Sequence, residues 1–325
     1  MNETLMIGAI AVAASLIGFV ITGKLIDVAP RLRLIDSPNV RSSHTRPTPR
    51  GGGIAIVVAF SVAAALATAL GYVATRDLLA LLLPGWAVAA VGFIDDRGGV
   101  RPGVRLVVHL GAAVAFLLAT HGVPETGVQW VDGNRAVGFA VGVLAITWSI
   151  NFFNFMDGID GIATSEAAFV CVALAVIAAV TGQPGVLAAA VGLAFAAAGF
   201  LAWNWPPARI FLGDVGSGFL GFVLAALALL ALRSPAVSVW TLVLLPGAFL
   251  ADATVTLVRR ALRRERVQEA HRSHAYQWLA RRWSSHRKVT LLYVAVNLLT
   301  THTVSMKLDS MPLDLKSPRL PARQM

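Results

Sequence analysis

The chain has 325 residues, of which 57% are hydrophobic and 14% are charged, and its formal net charge is +10. A soluble domain carries about a quarter charged residues, so this composition excludes an ordinary soluble protein and indicates a membrane protein. The positive charge then reflects membrane topology and contact with anionic lipid or substrate, and we expect no nucleic-acid partner.

Ten segments are apolar enough, to within a few residues, to be membrane-spanning helices of about 20 residues. The fifth is short, and the tenth ends in a polar tail. The sequence therefore predicts an all-α integral membrane protein, a polytopic helical bundle of about ten transmembrane helices with a short or truncated last one. In chain order the predicted spans are 4–22, 53–70, 78–94, 104–120, 136–150, 161–180, 185–202, 216–232, 237–258 and 289–300.

We expect residues 1–300 to form one transmembrane catalytic domain with a basic loop at 259–288, and residues 301–325 to form a poorly ordered polar tail. Lysine and arginine concentrate in the odd-numbered loops, whereas the even-numbered loops contain only Arg76, Arg135 and Arg233. The positive-inside rule then places the odd-numbered loops in the cytoplasm and the N-terminus outside.

Acidic residues occur near the predicted membrane boundaries, where a carboxylate is costly and a functional role is the default hypothesis. Asp95 and Asp96 end the third span, Asp214 precedes the eighth, and Asp252 lies within the ninth. Adjacent carboxylates repel each other unless a cation lies beside them, and a hard ion such as Mg²⁺ prefers oxygen ligands. Neutralisation by the neighbouring Arg97 is the alternative.

Polar residues also mark the first and fifth loops. Prolines and three glycines after Arg46 and Arg50 exclude a regular helix, and successive glycine N–H groups ahead of a helix predict an anion cradle. An ordinary basic turn is the alternative.

The fifth loop contains two asparagines and two aspartates at a spacing of three. Their side chains would share one helical face, or converge in a loop, to bind a nucleotide or metal-bound phosphate. They are Asn151, Asn154, Asp157 and Asp160.

Two further segments complete the pattern. Glycines 216, 218 and 221 match a dinucleotide fingerprint, but no strand is predicted before them, so we expect close helix packing. The basic ninth loop contains His271, Arg272 and His274. No third zinc ligand is evident nearby, so we expect these residues to bind a diphosphate or a lipid phosphate. A solvated basic face on anionic lipid is the alternative.

Together these motifs resemble the polyprenyl-phosphate N-acetylhexosamine-1-phosphate transferases, which form glycosyltransferase family 4. The matching elements keep the family's order between residues 40 and 290, and the segment 271–277 is most similar to the branch that starts O-antigen chains. In one departure, the family ordinarily continues with one or two full spans after the basic loop. A C-terminally truncated, inactive family member is therefore one alternative, and an ion-coupled transporter is another.

The resemblance implies transfer of a sugar-1-phosphate, an N-acetylhexosamine or a deoxy derivative, from a UDP-sugar to undecaprenyl phosphate. It also implies Mg²⁺, with Mn²⁺ as an alternative ion, and a cytoplasm-facing site in the bacterial inner membrane. We further expect contact with anionic lipid and allow for a homodimer. The expected catalytic and metal-binding residues are Asp95, Asp96 and Asp214. The expected substrate-binding residues are Arg46, Arg50, Asn151, Asn154, Asp157, Asp160, His271, Arg272 and His274.

Overall fold

The computed structural model describes residues 3–38, 46–265 and 272–309. This part of the chain is a bundle of helices with one two-stranded antiparallel ribbon. The elements in chain order are α1 (Glu3–Val28), β1 (Ile35–Asp36), β2 (Thr48–Pro49), α2 (Gly53–Ala69), α3 (Thr75–Gly98), α4 (Pro102–Ala119), α5 (Gln129–Asp132), α6 (Arg135–Met156), α7 (Ile162–Val180), α8 (Pro184–Asn204), α9 (Gly213–Ala231), α10 (Val239–Leu244), α11 (Gly247–Leu262), α12 (Ala275–Trp283) and α13 (His286–Asp309).

The helices confirm the predicted all-α membrane fold. Within the described residues, seven helices are long and apolar enough to cross a membrane: α1, α3, α4, α6, α7, α8 and α9. Helix α2 is apolar but shorter, with 17 residues. The protein is therefore a multi-pass membrane protein, and the last two predicted spans differ most from the prediction.

The ninth predicted span, 237–258, is not one continuous helix. Helix α10 ends at Leu244 and α11 begins at Gly247, with Pro246 between them. Proline has no N–H to donate and its ring collides with the preceding turn, which explains the break. Helix α11 then extends past the predicted end of the span, so its last turn belongs to the basic loop.

The tenth predicted span is longer in the structure than in the prediction. Helix α13 has 24 residues, so residues 301–309 of the predicted tail are helical, while residues 310–325 lie outside the described part. The segment 300–309 contains no proline or glycine, and therefore no residue that would interrupt the helix. Its composition nevertheless keeps α13 out of the group of seven apolar spans.

Helix α9 lies at the centre of the bundle. It packs against α2, α3, α6, α7 and α8, and it is the most buried of the seven spans. Glycines make this close packing possible: a Cβ atom at Gly221 would lie 2.5 Å from the carbonyl oxygen of Ser149, and one at Gly218 would lie 3.1 Å from Val88 Cγ1. This supports helix packing, as predicted, as the role of these glycines.

The predicted polar motifs share one end of the bundle, which we call the site end and define by Asp96, Asn154 and Asp214. Hydrogen bonds link these three residues across α3, α6 and α9. The opposite end is joined by other contacts, including the ion pair between Arg233 Nη1 and Asp77 Oδ2 at 3.0 Å. The helices thus alternate in direction and return repeatedly to the site end.

Substitution of Gly221 by alanine tests this packing. The added methyl group would collide with the backbone of α6, and overpacking of this kind costs about 1–3 kcal/mol. We expect a lower thermal unfolding temperature for the detergent-solubilised Gly221→Ala variant. The matched control is Gly111→Ala, because a Cβ atom at Gly111 meets no atom within 4 Å. Equal unfolding temperatures for the two variants would contradict the packing.

Candidate active site

The carboxylate of Asp96 holds the beginning of α9. Its Oδ1 and Oδ2 atoms accept hydrogen bonds from the backbone N–H groups of Asp214 and Val215, each at 3.1 Å. Asp96 is only 3% exposed. A carboxylate at a helix N-terminus satisfies unpaired N–H groups and opposes the positive end of the helix dipole. The structure therefore gives Asp96 a supporting role, which the sequence had not indicated.

Arg50 joins the glycine-rich turn to the same aspartate. Its Nη2 atom contacts the Asp96 carbonyl oxygen, and its Nε atom lies 3.9 Å from Asp96 Oδ1. The N–H groups of Gly52 and Gly53 donate to two carbonyl oxygens of the α8–α9 loop at 2.9 Å. The predicted anion cradle is therefore wrong for these two amides, which are already bonded. Arg46 lies exposed beside this turn.

Asp95, Asp214 and Asn154 meet around Arg105. The Nη1 atom of Arg105 contacts Asp95 Oδ2 and lies 3.1 Å from Asp214 Oδ2. The Nδ2 atom of Asn154 donates to Asp214 Oδ1 at 2.7 Å and to Ser217 Oγ at 3.1 Å. Four different helices, α3, α4, α6 and α9, thus supply one polar cluster at the site end.

Sequence reasoning missed Arg105. This residue lies in the first turn of the fourth span, ten residues after Asp95. A basic residue within an apolar span was the available signal, because intramembrane charges are costly and are usually paired. Its partners became visible only with the packing of α4 against α3 and α6.

The predicted row of amides and carboxylates is divided by the end of α6 at Met156. Asn151 and Asn154 are helical, whereas Asp157 and Asp160 lie in the loop before α7. Asn151 Nδ2 donates to a carbonyl one turn earlier in α6, at 2.7 Å. The single helical face is therefore interrupted, and the loop alternative applies to the two aspartates.

Asp157 lies close to the other acidic groups. Burial raises its pKa well above the usual range for an aspartate. The negative charges of three neighbours act in the same direction: Asp214, Asp96 and Asp160. The site therefore concentrates negative charge, which a bound cation would stabilise.

A cleft of about 600 Å³ opens next to this loop. Asp160 lies on its wall, where Oδ2 accepts a hydrogen bond from the Ala208 N–H at 3.0 Å and pairs with His286 Nδ1 at 3.2 Å. His286 was not among the predicted site residues. The opposite wall is basic and comes from the region of α12 and α13. Its cationic lining residues are Arg272, Arg281 and Arg287.

Asp252 fastens the basic loop to the ninth span. Its Oδ1 accepts a hydrogen bond from the Ala275 N–H at 2.9 Å. Its Oδ2 accepts from the Tyr276 N–H at 3.1 Å and from the Tyr293 hydroxyl at 2.7 Å. His274 Nδ1 lies 3.4 Å from Asp252 Oδ1. One carboxylate therefore joins α11, α12 and α13.

The predicted histidine pair is described only in part, because His271 lies outside the described residues. His274 is the N-cap residue of α12 and is 3% exposed. Its ring stacks on those of Phe155 and Tyr276, with centroids 6.4 Å and 5.7 Å away. His274 thus holds the basic loop in place, whereas Arg272 lines the cleft.

Comparison with known proteins gives the same family as the motifs. The sequence model of glycosyl transferase family 4 matches residues 78–232. The chain is 27% identical to the probable undecaprenyl-phosphate N-acetylglucosaminyl 1-phosphate transferase of Bacillus subtilis, over 84% of this chain and 76% of that protein. It is 29% identical to the decaprenyl-phosphate N-acetylglucosaminephosphotransferase of Mycobacterium tuberculosis, over 87% and 78%.

The chain is therefore similar to glycosyl transferase family 4, whose sequence model matches just under half of its length. A phospho-N-acetylmuramoyl-pentapeptide-transferase of Nostoc punctiforme is also similar, with 33% identity over 56% of this chain and 53% of that protein. The region that matches the family 4 model includes the cluster around Arg105, whereas the glycine-rich turn and the basic loop lie outside it. These comparisons do not test the predicted O-antigen branch within family 4.

The acidic donors of this site suit a hard cation. The carboxylates of Asp95 and Asp214 both contact the Nη1 atom of Arg105 and therefore lie close to each other. Within the described residues, no three acidic, histidine or cysteine side chains are arranged to hold a metal ion by themselves. Mg²⁺ takes one or two carboxylates and fills its shell with water and substrate phosphate, so the two aspartates fit an ion that binds together with a nucleotide.

Substitution of Asp252 by asparagine tests the attachment of the basic loop. The neutral amide can accept fewer hydrogen bonds, and bonds to a charged group are worth about 1.5–3 kcal/mol. The rate of tryptic cleavage is proportional to the population of the locally opened form, which the substitution increases. We therefore expect about tenfold faster cleavage after Arg281 or Arg282. Asp132→Asn, at the other end of the bundle, is the control. Equal cleavage rates, measured by mass spectrometry, would contradict this attachment.

Proposed function

We propose that the protein transfers a sugar-1-phosphate from a UDP-sugar to undecaprenyl phosphate, giving undecaprenyl-diphosphate-sugar and UMP. The observation that carries this proposal is the meeting of Asp95, Asp214 and Asn154 around Arg105 beside a basic cleft. The names of these relatives describe transferases that act on polyprenyl phosphates, which supports the same class of reaction.

The chemistry requires positioning and charge neutralisation more than covalent catalysis. An oxygen of the lipid phosphate attacks the phosphorus that bears the sugar, and a new P–O bond forms. The bond from that phosphorus to the bridging oxygen breaks, and UMP leaves with the electron pair. Because the second pKa of a phosphate monoester is about 6, the acceptor is largely dianionic at neutral pH and needs no general base.

Asp95 and Asp214 would hold Mg²⁺, with Mn²⁺ as the alternative ion. When bound, the ion neutralises charge on the diphosphate and on the departing UMP. We assign Asp96 to positioning rather than to metal binding, because both of its carboxylate oxygens already accept hydrogen bonds from the first turn of α9. Asn154 orients Asp214 through the 2.7 Å hydrogen bond.

Arg105 is the best placed of the described cations to meet a reacting phosphate. Its guanidinium group contacts two carboxylates, and phosphate is recognised by the same planar donor pattern. The cleft lined by Asp160, Arg272 and His286 is then the site for the nucleotide part of the donor. Asp157 lies in the loop between this cleft and the cluster.

The finer biological assignments are part of the same proposal. The segment 271–277 favours initiation of O-antigen, with an N-acetylhexosamine or a deoxy derivative as the sugar. The distribution of basic residues supports a bacterial inner-membrane location with the site end in the cytoplasm and the N-terminus outside. A homodimer and contact with anionic lipid stay predictions.

The two alternatives each predict something different. An ion-coupled transporter predicts charges near the middle of the membrane, whereas the acidic cluster lies at one end of the bundle. The inactive alternative rested on a short last span; α13 has 24 residues but is not among the seven apolar spans, so activity has to be measured. One assay separates the transferase from both alternatives: protein in detergent, Mg²⁺, undecaprenyl phosphate and a panel of UDP-sugars, with UMP and lipid-linked sugar as the readouts.

Replacement of Asp214 by asparagine should reduce UMP release by about a hundredfold or more, because a group that stabilises charge in the transition state is lost. The isosteric amide keeps the side-chain volume, so we expect an unchanged elution volume and membrane insertion. Glu125→Gln, an exposed substitution outside the site end, is the matched control. An active, folded Asp214→Asn variant would refute the assignment.

Removal of divalent ions should abolish turnover reversibly. With EDTA in excess, we expect no UMP release above background, and full recovery when Mg²⁺ or Mn²⁺ is added back. Zinc should not restore activity, because the donors here are carboxylates without cysteine or histidine. Turnover that persists in EDTA would exclude the metal role of Asp95 and Asp214.

A further inference from the structure

A second polar groove lies on the outer surface of the bundle, where the last turns of α1 meet the end of α8. Its volume is about 340 Å³, and it is separate from the cleft at Asp160. Both helices reach the site end here, because β2, which follows α1, is hydrogen-bonded to the α8–α9 loop. The groove is thus at the level where lipid headgroups meet the protein.

An ordered aromatic platform forms the floor of the groove. The indole N–H of Trp203 donates to the Phe19 carbonyl oxygen at 3.1 Å, and the ring closes over Gly23, where a Cβ atom would lie 3.2 Å from Trp203 Cζ2. The guanidinium carbon of Arg209 lies 4.5 Å from the centre of this ring. Stacking on the indole holds Arg209 in place, which distinguishes it from a freely moving surface arginine.

The groove carries charges of both signs. Among the described residues that line the groove, Lys24 and Arg209 are the cations and Asp27 is the carboxylate; all three are exposed. None of them forms an ion pair with another residue in the described part of the chain. A ligand that pairs with all three side chains needs an anionic group and a cationic group a short distance apart.

The other wall is apolar and continues along the membrane. Phe19 and Val20 are 44% and 48% exposed, and Leu16 and Val12 extend the same exposed surface of α1 towards its N-terminus. In a membrane-spanning helix these side chains face acyl chains. The groove therefore places a charged headgroup pocket at the end of an acyl-chain track.

We propose that this groove binds an aminophospholipid, the phosphatidylethanolamine class. Its phosphate lies between Lys24 and Arg209, its ammonium group pairs with Asp27, and an acyl chain follows the exposed surface of α1. Phosphatidylglycerol offers the phosphate but no ammonium, so Asp27 would repel it or stay unpaired. This site goes beyond the proposed transferase reaction and does not depend on it.

Native mass spectrometry tests the site directly. The full chain is released from detergent containing equal amounts of phosphatidylethanolamine and phosphatidylglycerol, and retained lipid is counted. We expect phosphatidylethanolamine to be preferred. Arg209→Ala should lower its retention about fivefold, the factor that corresponds to about 1 kcal/mol per basic residue at a headgroup. Asp27→Asn should remove the preference while phosphatidylglycerol is retained as well as before or better.

Arg31→Ala is the matched control, since Arg31 is exposed in the segment just after α1 but does not line the groove. Each variant is checked for the elution volume and thermal unfolding of the parent, so that loss of lipid cannot be ascribed to misfolding. Equal retention by Arg209→Ala and Arg31→Ala would overturn the proposal. A preference of the parent protein for phosphatidylglycerol would also overturn it, and would indicate a purely anionic-lipid site.

Discussion

The capping of α9 by the buried carboxylate of Asp96 is the interaction on which the rest of the site depends. Asp96 ends one span and Asp214 begins another, 118 positions later, yet two hydrogen bonds of 3.1 Å hold them together. The close approach requires Gly92, because a side chain there would collide with the Asp214 backbone. An unpaired carboxylate or N–H group in this buried place would be costly, so the contact selects one register of α3 against α9.

This arrangement separates support from chemistry within one acidic cluster. Both carboxylate oxygens of Asp96 accept hydrogen bonds from the backbone of α9. Asp95 and Asp214 instead contact Arg105 and, in the proposed reaction, would bind a divalent ion. The basic loop shows the same division: Asp252 and His274 attach it, while Arg272 lines the cleft. A membrane enzyme that binds two anionic substrates needs such supporting contacts, because electrostatic repulsion among the acidic side chains and the substrates would otherwise push these side chains apart.

Much of the fold followed from the sequence, because hydropathy over about 20 residues is a local property that burial in lipid requires of each span separately. The polar motifs and their order were likewise sufficient to indicate the resemblance to glycosyl transferase family 4. The errors arose where average hydropathy is a poor guide: Pro246 interrupts a span of continuous hydropathy, and α13 continues into a segment whose composition resembles a polar tail. Hydropathy averages over a window and does not register a single missing N–H group.

The sequence by itself determined the membrane class, the approximate spans, the polar residues at their ends and the resemblance to glycosyl transferase family 4. Only the tertiary structure decided what each polar residue does. It gave Arg105 two carboxylate partners 10 and 109 positions away, and it turned the N–H groups of Gly52 and Gly53 towards protein carbonyls. The physical reason is that a side chain's role depends on which groups desolvate it and pair with it, and those groups come from helices distant in the chain.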